Sequence, residues 1–231
     1  MKKIINSIFT SFLIVLLTIG TIFALPNNNV FAAKKTIIKS YSKKYSVSKK
    51  HKTIAIGAFY GLSASGNSKL AKSINSLNSK TKKSFLNEWK SLKEYATEPD
   101  SYGDRMFVYY KISKIGECKN FISLETTYSE HSGGAHPTST CSYSNIYKKT
   151  GKKVYLKTLA KCSIKSFNKK VIKIINKTIA DKATAVNSSK IIKKYKFKDY
   201  NFYYKDNQLH IFFNPYDIGP YALGPIDIIV K

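Results

Sequence analysis

Two histidines flank a pair of glycines near the middle of the chain, and both residue types can do chemistry. His131 and His136, together with Glu130 or Cys141, are residues that bind zinc. Ser132 beside His131 supplies a hydroxyl next to an imidazole, the groups that a hydrolase combines. The spacing fits no familiar zinc pattern, and adjacency in sequence fixes no geometry. We therefore predict a tight loop with His136 as a ligand-binding candidate and with no metal or cofactor, and a peptidoglycan-modifying hydrolase that uses His136 is the alternative.

A five-residue phrase is repeated near the C-terminus, as PYDIG at 215–219 and PYALG at 220–224. Each proline fixes its own φ and keeps the preceding residue out of the helical region, so the repeat predicts a shaped loop. Tyr216 and Tyr221 are ligand-binding candidates, because rings on a rigid loop lose little entropy on binding. They could instead be buried to hold the loop. Asp217, also a candidate, could contact a ligand or cap a turn.

Lysine is concentrated in one segment, with 17 lysines between residues 148 and 198 against a single acid, Asp181. Five of these recur at every fourth residue, a spacing that places them on one side of a helix. They are candidates for polyanion binding or for the solvated outer face of a helix packed on the core. The five are Lys161, Lys165, Lys169, Lys173 and Lys177.

The N-terminal residues indicate export. Lys2 and Lys3 precede an apolar stretch from Ile4 to Leu25, and Val30 and Ala32 are small residues at the two positions that signal peptidase reads. We predict a cleaved signal peptide at 1–32 and a secreted, extracellular protein associated with the cell wall. An uncleaved membrane anchor is the alternative, since the stretch is long enough to span a bilayer.

The strong positive charge of the chain indicates which partners to expect. Lys2 and Lys3 account for two of the 27 net positive charges, which leaves +25 for the remainder. Such a field attracts polyanions, and the attraction weakens as salt rises. For an exported protein the expected polyanions are anionic wall polymers or a membrane surface rather than nucleic acid. The alternative is that lysine serves solubility alone.

Hydrophobic periodicity predicts the elements that position these groups. Apolar residues at helical spacing predict helices at 70–95, 158–181 and 187–194. Alternating or short apolar runs predict strands at 53–60, 105–114, 118–129, 138–147, 154–156, 197–205, 209–213 and 226–230. The predicted class is α+β, with antiparallel sheets and a long amphipathic helix in each of two small subdomains.

The segment boundaries follow from these elements. After the signal peptide we predict a basic arm or linker at 33–52, a smaller α+β domain at 53–129 and a C-terminal α+β domain at 130–231.

Three cysteines are an odd number for a secreted chain. A simple hairpin around the glycine–histidine loop would place Cys118 opposite about residue 149, roughly 26 Å along the strand from Cys141. We therefore expect no bond between Cys118 and Cys141. A bridge from Cys118 to Cys162 stays open.

Three motifs in this order resemble a known family. They are SGGAH at 132–136, TGKKVYLKTL at 150–159 and FFNPYDIGPYALG at 212–224. Together they resemble the extracytoplasmic module of unknown function in the lysozyme-sensing anti-sigma factor RsiV and in PdaC-type peptidoglycan deacetylases. The upstream part, 53–129, is similar to the smaller domain that usually accompanies this module.

The resemblance covers neither the sigma-factor-binding segment nor the deacetylase catalytic domain, so we expect neither activity. It does imply that lysozyme is a possible partner, although lysozyme is itself basic and would be repelled at a distance. The leading prediction is a secreted, non-enzymatic binding module of the cell envelope whose ligand includes anionic wall polymers. A lysozyme-binding or inhibitor protein is the alternative from another class.

Overall fold

A computed structural model describes residues 36–49, 52–66, 68–96 and 105–230 of the 231-residue chain. These residues belong to one compact unit. They contain eight strands in two sheets and four helices, so the predicted α+β class is confirmed. The predicted signal peptide at 1–32 lies outside the described residues.

The first sheet has five strands in the order β1-β2-β3-β4-β5. Its elements are β1 (Ile37–Lys49), β2 (Lys52–Ser65), helix α1 (Lys69–Tyr95), β3 (Met106–Glu117), β4 (Phe121–His131) and β5 (Thr138–Tyr147). β2 and β3 run parallel, an arrangement that the prediction of antiparallel sheets did not include. Parallel neighbours need a long crossover connection, and α1, with 27 residues, lies in that connection.

Helix α1 covers one face of this sheet with an apolar stripe. Ser68 begins the helix, because its side chain accepts a hydrogen bond from Ala71 N at 3.0 Å. Phe85 and Trp89 are buried from this stripe, and a Cβ atom on Gly57 of β2 would lie only 2.6 Å from Trp89 Cε3. The absence of a side chain at Gly57 therefore lets the helix approach the sheet closely.

The described residues 36–49 of the predicted basic arm are not a linker but include β1, which pairs along its length with β2. Tyr41, Tyr45 and Val47 pack against the first core from this strand, while its lysines stay exposed. The interleaved lysines made the segment look like an arm, but the aromatic and β-branched residues at alternate positions are those of an edge strand.

The second sheet has three antiparallel strands in the order β6-β7-β8, with the remaining helices packed on it. The elements are α2 (Leu156–Ala160), α3 (Ile164–Thr178), α4 (Lys182–Ile192), β6 (Asn201–Lys205), β7 (Gln208–Phe213) and β8 (Ile226–Val230). Alternate residues of β7 and β8, such as Ile211, Phe213 and Ile228, are buried against α3 and α4.

The predicted helix at 158–181 is two helices. Lys161 ends α2 in the left-handed region at φ +49°, and Ser163 starts α3 by accepting a hydrogen bond from Ser166 N at 3.2 Å. The predicted strand at 154–156 was also wrong. Lys153 makes a single bridge to Ile146, and α2 begins at Leu156.

A buried polar cluster fixes helix α3 to the chain that follows α4. The Asn168 amide donates to Ile192 O at 2.9 Å and Tyr195 O at 3.1 Å, and its oxygen accepts from Tyr200 Oη at 2.9 Å. Burial raises the pKa of Tyr200, so its hydroxyl remains a donor. Because buried polar groups are costly unless paired, this cluster specifies the packing of the second core.

Side-chain amides join the second sheet to the edge of β5. Asn214 Oδ1 accepts from Cys141 N at 2.6 Å, and Asn201 Oδ1 accepts from Tyr143 N at 3.0 Å. Asn201 Nδ2 also donates to Cys141 O at 2.7 Å. Backbone groups on the outer edge of β5 are thus satisfied without a sixth strand.

The hairpin register of β4 and β5 agrees with the expected geometry of the cysteines. Thr127 is opposite Cys141, and Lys148 N bonds to Asn120 O, so Cys118 lies close to the far end of β5. All three cysteines are free thiols. The predicted domain boundary between residues 129 and 130 falls within β4. β4 pairs with β5, so residues on both sides of this boundary belong to one sheet.

Candidate functional site

The proline loop between β7 and β8 is held by its own polar groups. The Asp217 carboxylate accepts a hydrogen bond from Asn214 N at 2.7 Å, and Asp217 N donates to Asn214 O at 3.1 Å. Asp217 therefore caps a turn, the second of its two predicted roles. Tyr195 Oη donates to Asp217 O at 3.2 Å, and burial raises the pKa of Tyr195 to about 12, so this donor stays protonated at neutral pH.

Three of the four predicted ligand-binding residues meet where the proline loop contacts the glycine–histidine loop. The rings of His136 and Tyr221 stack at 4.2 Å with an interplanar angle of 16°, and Tyr216 lies 5.4 Å from Tyr221. Tyr221 Oη donates to Pro137 O at 3.3 Å, which ties the proline loop to the glycine–histidine loop. We call His136, Tyr216 and Tyr221 the aromatic cluster.

The tyrosines of the aromatic cluster are not buried to hold the loop. Tyr216 is 68% exposed and Tyr221 is 37% exposed. Tyr216 also has φ +71°, a conformation that costs a non-glycine residue free energy. A rigid loop with a strained backbone at Tyr216 therefore presents a solvent-facing ring, an arrangement suited to contact with a partner or a sugar ring.

His136 makes contacts that suit a loop better than a catalytic base. Its Nδ1 lies 3.1 Å from Pro137 O, and in the described part of the chain no hydroxyl or thiol is hydrogen-bonded to the ring. His131, by contrast, is buried beside Phe107. Burial also raises the pKa of the Cys141 thiol, which disfavours the thiolate that a metal or a nucleophilic reaction needs. Among the described residues no group of three or more His, Cys, Asp or Glu could hold a metal ion.

The predicted lysine row lies on the outer face of the second core. Lys165, Lys169, Lys173 and Lys177 are exposed on α3, and Lys161 is exposed at the end of α2 rather than on the same helix. Val171 and Ile175 on the opposite face are fully buried, so this is a solvated face of a core-packed helix. We call the five lysines, Lys161 included, the α3 lysine ridge.

A second lysine surface, which the sequence analysis missed, is concave. It is a cleft of about 690 Å³ between the β3–β4 turn and the turn after β5. Five lysines and two tyrosines line it, and we call it the lysine cleft: Lys119, Lys148, Lys149, Lys152, Lys153, Tyr147 and Tyr155. One signal was present in the sequence, because the hairpin register that places residue 118 opposite 149 brings Lys119 close to Lys148 and Lys149.

The family comparison matches the C-terminal part of the chain. A family model described as "Protein of unknown function (DUF3298)" matches residues 145–231. The chain contains a DUF3298 domain. Its match begins in β5 and includes α2 to α4, the second sheet and the proline loop. No curated protein matches the sequence.

Two solved structures share the fold over most of the chain. A DUF3298 family member from Bacteroides fragilis is 17% identical with a TM-score of 0.61, over 85% of this chain and 90% of that one. A DUF3298 family protein from Pseudomonas aeruginosa is 12% identical with a TM-score of 0.51, over 86% and 96% of the two chains. At these identities the likeness shows the fold alone.

The DUF3298 match includes most, but not all, of the candidate residues. It contains the whole α3 lysine ridge, the proline loop and six of the seven named residues of the lysine cleft, while His136 and Lys119 lie upstream. Both the aromatic cluster and the lysine cleft are therefore completed by residues from outside the matched domain.

No helix among the described residues is long and apolar enough to cross a membrane.

The DUF3298 domain also contains a polar–aromatic cluster that sequence reasoning missed. Asp227 accepts from Tyr203 Oη at 2.5 Å and lies 3.2 Å from His210 Nδ1, and the Tyr203 and His210 rings stack at 4.4 Å. Burial, with the hydrogen bond to Asp227, raises the pKa of Tyr203. Because alternation along β6, β7 and β8 places these residues on one face, they orient one another on the side away from the helices.

Proposed function

We propose that this protein is a secreted, non-enzymatic binding module of the cell envelope that holds anionic wall polymers. The observation that carries the proposal is the charge, since the chain has a net +27 and the 148–198 segment has 17 lysines against Asp181. The lysines of the α3 lysine ridge are all exposed, so their charge acts on the surroundings rather than within the fold. Such a surface concentrates polyanions near it.

The compartment in this proposal rests on the N-terminal sequence, with an apolar stretch after Lys2 and Lys3 and small residues at Val30 and Ala32. An uncleaved anchor would keep the same domain at the outer face of the membrane. The motif resemblance to RsiV and PdaC-type proteins supports the same compartment, because those modules also act outside the cytoplasm.

The test is retention of the purified protein on isolated cell-wall fragments as a function of salt. We expect retention at low ionic strength and release at high ionic strength, because an interaction dominated by ion pairs weakens steeply with salt. Fragments from which the anionic polymers have been extracted are the matched control and should retain little protein. No retention, or retention that salt does not change, would contradict the proposal.

The aromatic cluster favours a second candidate, a lysozyme-binding or inhibitor protein. Exposed tyrosines on a rigid loop are typical of the residues that dominate protein interfaces. Lysozyme is basic, so this contact would need to overcome repulsion between two cationic proteins.

A pull-down with lysozyme at several salt concentrations separates the two functions. Changing both Tyr216 and Tyr221 to alanine should abolish capture if the aromatic cluster is the contact, while Tyr95→Ala, which changes another exposed tyrosine, should leave capture unchanged. Absence of capture at every ionic strength would remove this candidate.

A further inference from the structure

We propose that the lysine cleft, and not the α3 lysine ridge, is the specific binding site, and that it takes the phosphodiester groups of a flexible polyol-phosphate chain. The inference rests on the proposed function for the source of that polymer. It goes further in naming the site and the chemical class of the ligand.

The first argument is convergence of charge. Lys119 comes from one turn, and Lys148, Lys149, Lys152 and Lys153 come from another, yet all five line one cleft. None of its lining residues is a carboxylate. Four of the five ammonium groups have no acidic partner in the described part of the chain and repel one another, so their convergence does not itself stabilise the fold. A bound polyanion would relieve the repulsion.

One carboxylate outside the lining of the cleft reduces its positive charge. Glu117, at the end of β3, forms ion pairs with Lys114 and Lys148. Hydrogen bonds from these two lysines hold the pKa of Glu117 below its usual range, so it stays ionised in neutral solution. The other four cleft lysines have no ion pair among the described residues.

The second argument is rigidity, because both walls are tight turns fixed by backbone hydrogen bonds. Gly151 N donates to Tyr147 O at 2.8 Å, Tyr147 N donates to Lys152 O at 2.9 Å, and Lys148 N donates to Asn120 O at 2.8 Å. Ser73 of α1 donates to Gly151 O at 2.7 Å, which fixes the second turn to the first core. A preorganised site loses less entropy when a ligand binds.

The third argument is size and surface. A cleft of about 690 Å³ accommodates a few repeat units of a linear polymer, since small-molecule sites span roughly 300–1,000 Å³. Tyr155 is 63% exposed on its wall, and Lys153 Nζ lies 5.9 Å from the centre of that ring. The ring therefore provides an apolar contact for the polyol carbons and holds one ammonium group in place.

The α3 lysine ridge lacks each of these properties. Four of its lysines project from the outer face of α3 and Lys161 follows α2, and the periodic spacing on α3 follows from the need to bury the opposite face of that helix. Flexible side chains on a convex surface attract polyanions at a distance but do not surround them. The α3 lysine ridge is therefore a matched surface of equal charge against which the lysine cleft can be tested.

Phosphodiesters fit the lysine cleft better than carboxylates do. Lysine binds phosphate as a point charge, whereas planar carboxylates are recognised most specifically by the paired donors of arginine, and arginine is absent from this cleft. Nucleic acid also carries phosphodiesters, but single strands are bound by stacking successive bases on a series of rings. Tyr155 is the one strongly exposed ring in this cleft.

The experiment is calorimetric titration of the full chain with a defined poly(glycerol phosphate) oligomer. One variant carries Lys149→Gln, Lys152→Gln and Lys153→Gln in the lysine cleft. The other carries Lys165→Gln, Lys169→Gln and Lys173→Gln on the α3 lysine ridge and loses the same charge. We expect the cleft variant to bind at least about tenfold more weakly, with the salt slope reduced by about 2, and the ridge variant to change by less than about twofold. Circular dichroism verifies that both variants are folded.

The outcomes separate this inference from the proposed function. Suppose that the unmodified chain is retained on wall fragments and that both variants weaken oligomer binding equally. The assignment to the lysine cleft is then wrong, while the proposed function stands. If the cleft variant alone loses oligomer binding but the unmodified chain is not retained on walls, the site stands and the proposed function fails. Equal, cleft-dependent binding of polygalacturonate or of a single-stranded DNA oligonucleotide overturns the polyol-phosphate assignment, and so does the absence of oligomer binding.

Discussion

The lysine cleft and the α3 lysine ridge carry the same kind of charge but differ in shape and support. The α3 lysine ridge follows from a helix that must bury Val171 and Ile175, which leaves its other face to water. The lysine cleft brings together lysines from two separate turns, which the register of β4 and β5 places side by side. For the proposed polyanion site, the difference teaches that convergence of lysines from separate segments is a stronger argument than the number of lysines in one segment.

The largest effect should come from changing the turn that supports the lysine cleft. Gly151 has φ +67°, and a Cβ atom there would lie 2.4 Å from Lys69 O. We expect Gly151→Ala to lower the free energy of unfolding by about 3 kcal/mol through backbone strain and overpacking. Urea unfolding measures this loss, and the folded fraction should bind poly(glycerol phosphate) at least about tenfold more weakly.

Gly134→Ala is the matched control for that change. Gly134 also has positive φ, but a Cβ atom there would meet nothing within 4 Å. This variant should lose about 1–2 kcal/mol from backbone strain alone and keep full oligomer binding. Equal losses in the two variants would show that contact with α1 does not support the turn.

Removing the carboxylate beside the lysine cleft should strengthen binding. Glu117→Gln releases Lys148 and Lys114 from their ion pairs and removes one negative charge near the ligand. We expect about fivefold tighter binding of the oligomer at low salt, equivalent to about 1 kcal/mol for one surface charge. Titration calorimetry at two salt concentrations measures it, with Glu94→Gln on α1 as the charge-matched control. Weaker binding in Glu117→Gln would mean that Glu117 positions Lys148 for the ligand.

Tyr155 should have a smaller effect through Lys153. Tyr155→Leu removes the ring under this ammonium group and should weaken oligomer binding about threefold, which corresponds to a typical cation–π contribution at an exposed site. Tyr155→Phe keeps the ring and should bind as the unmodified chain does. If the Phe and Leu variants lose the same affinity, the hydroxyl and not the ring face makes the contact.

The smallest effect should be a pH dependence confined to acid. Because Lys114 and Lys148 hold the pKa of Glu117 below its usual range, this pair stabilises the fold above about pH 4 and the contribution disappears as pH falls through the lowered pKa. Phosphodiesters stay ionised there, so oligomer binding should be constant from pH 7 to about pH 5 and rise by less than about twofold at about pH 4, because the lowered pKa leaves most of Glu117 ionised at that pH. The rise should be absent from Glu117→Gln. A fall in affinity in acid would mean that ionised Glu117 positions Lys148 for the ligand.

The sequence predicted the α+β class and most strands and helices, because apolar residues at periods of two and near 3.6 reflect burial directly. It did not predict β1, since Lys39 and Lys43 alternate with Tyr41 and Tyr45 and obscure the apolar pattern. Nor did it predict the break at Lys161, because a non-glycine residue in the left-handed region gives no compositional signal.

The candidate residues could be predicted in part. Tyr216 and Tyr221 were identified from their rigid loop, but their exposure depends on tertiary packing, which local sequence does not specify. The Asp227–His210–Tyr203 contacts and the lysine cleft were missed because each joins residues from separate segments. Register between strands is the information that was needed, and for Lys119 the hairpin geometry already contained it.

β1 is an edge strand of the first sheet, and its lysines affect how that edge meets other chains. A 13-residue strand at the border of a sheet offers backbone donors and acceptors to any extended chain, including a second copy of this protein. Lys39, Lys43 and Lys44 are exposed along this edge strand. Pairing of two copies through β1 would therefore bring like charges together. Repulsion between these lysines thus disfavours edge-to-edge pairing of two copies and the aggregation that such pairing begins.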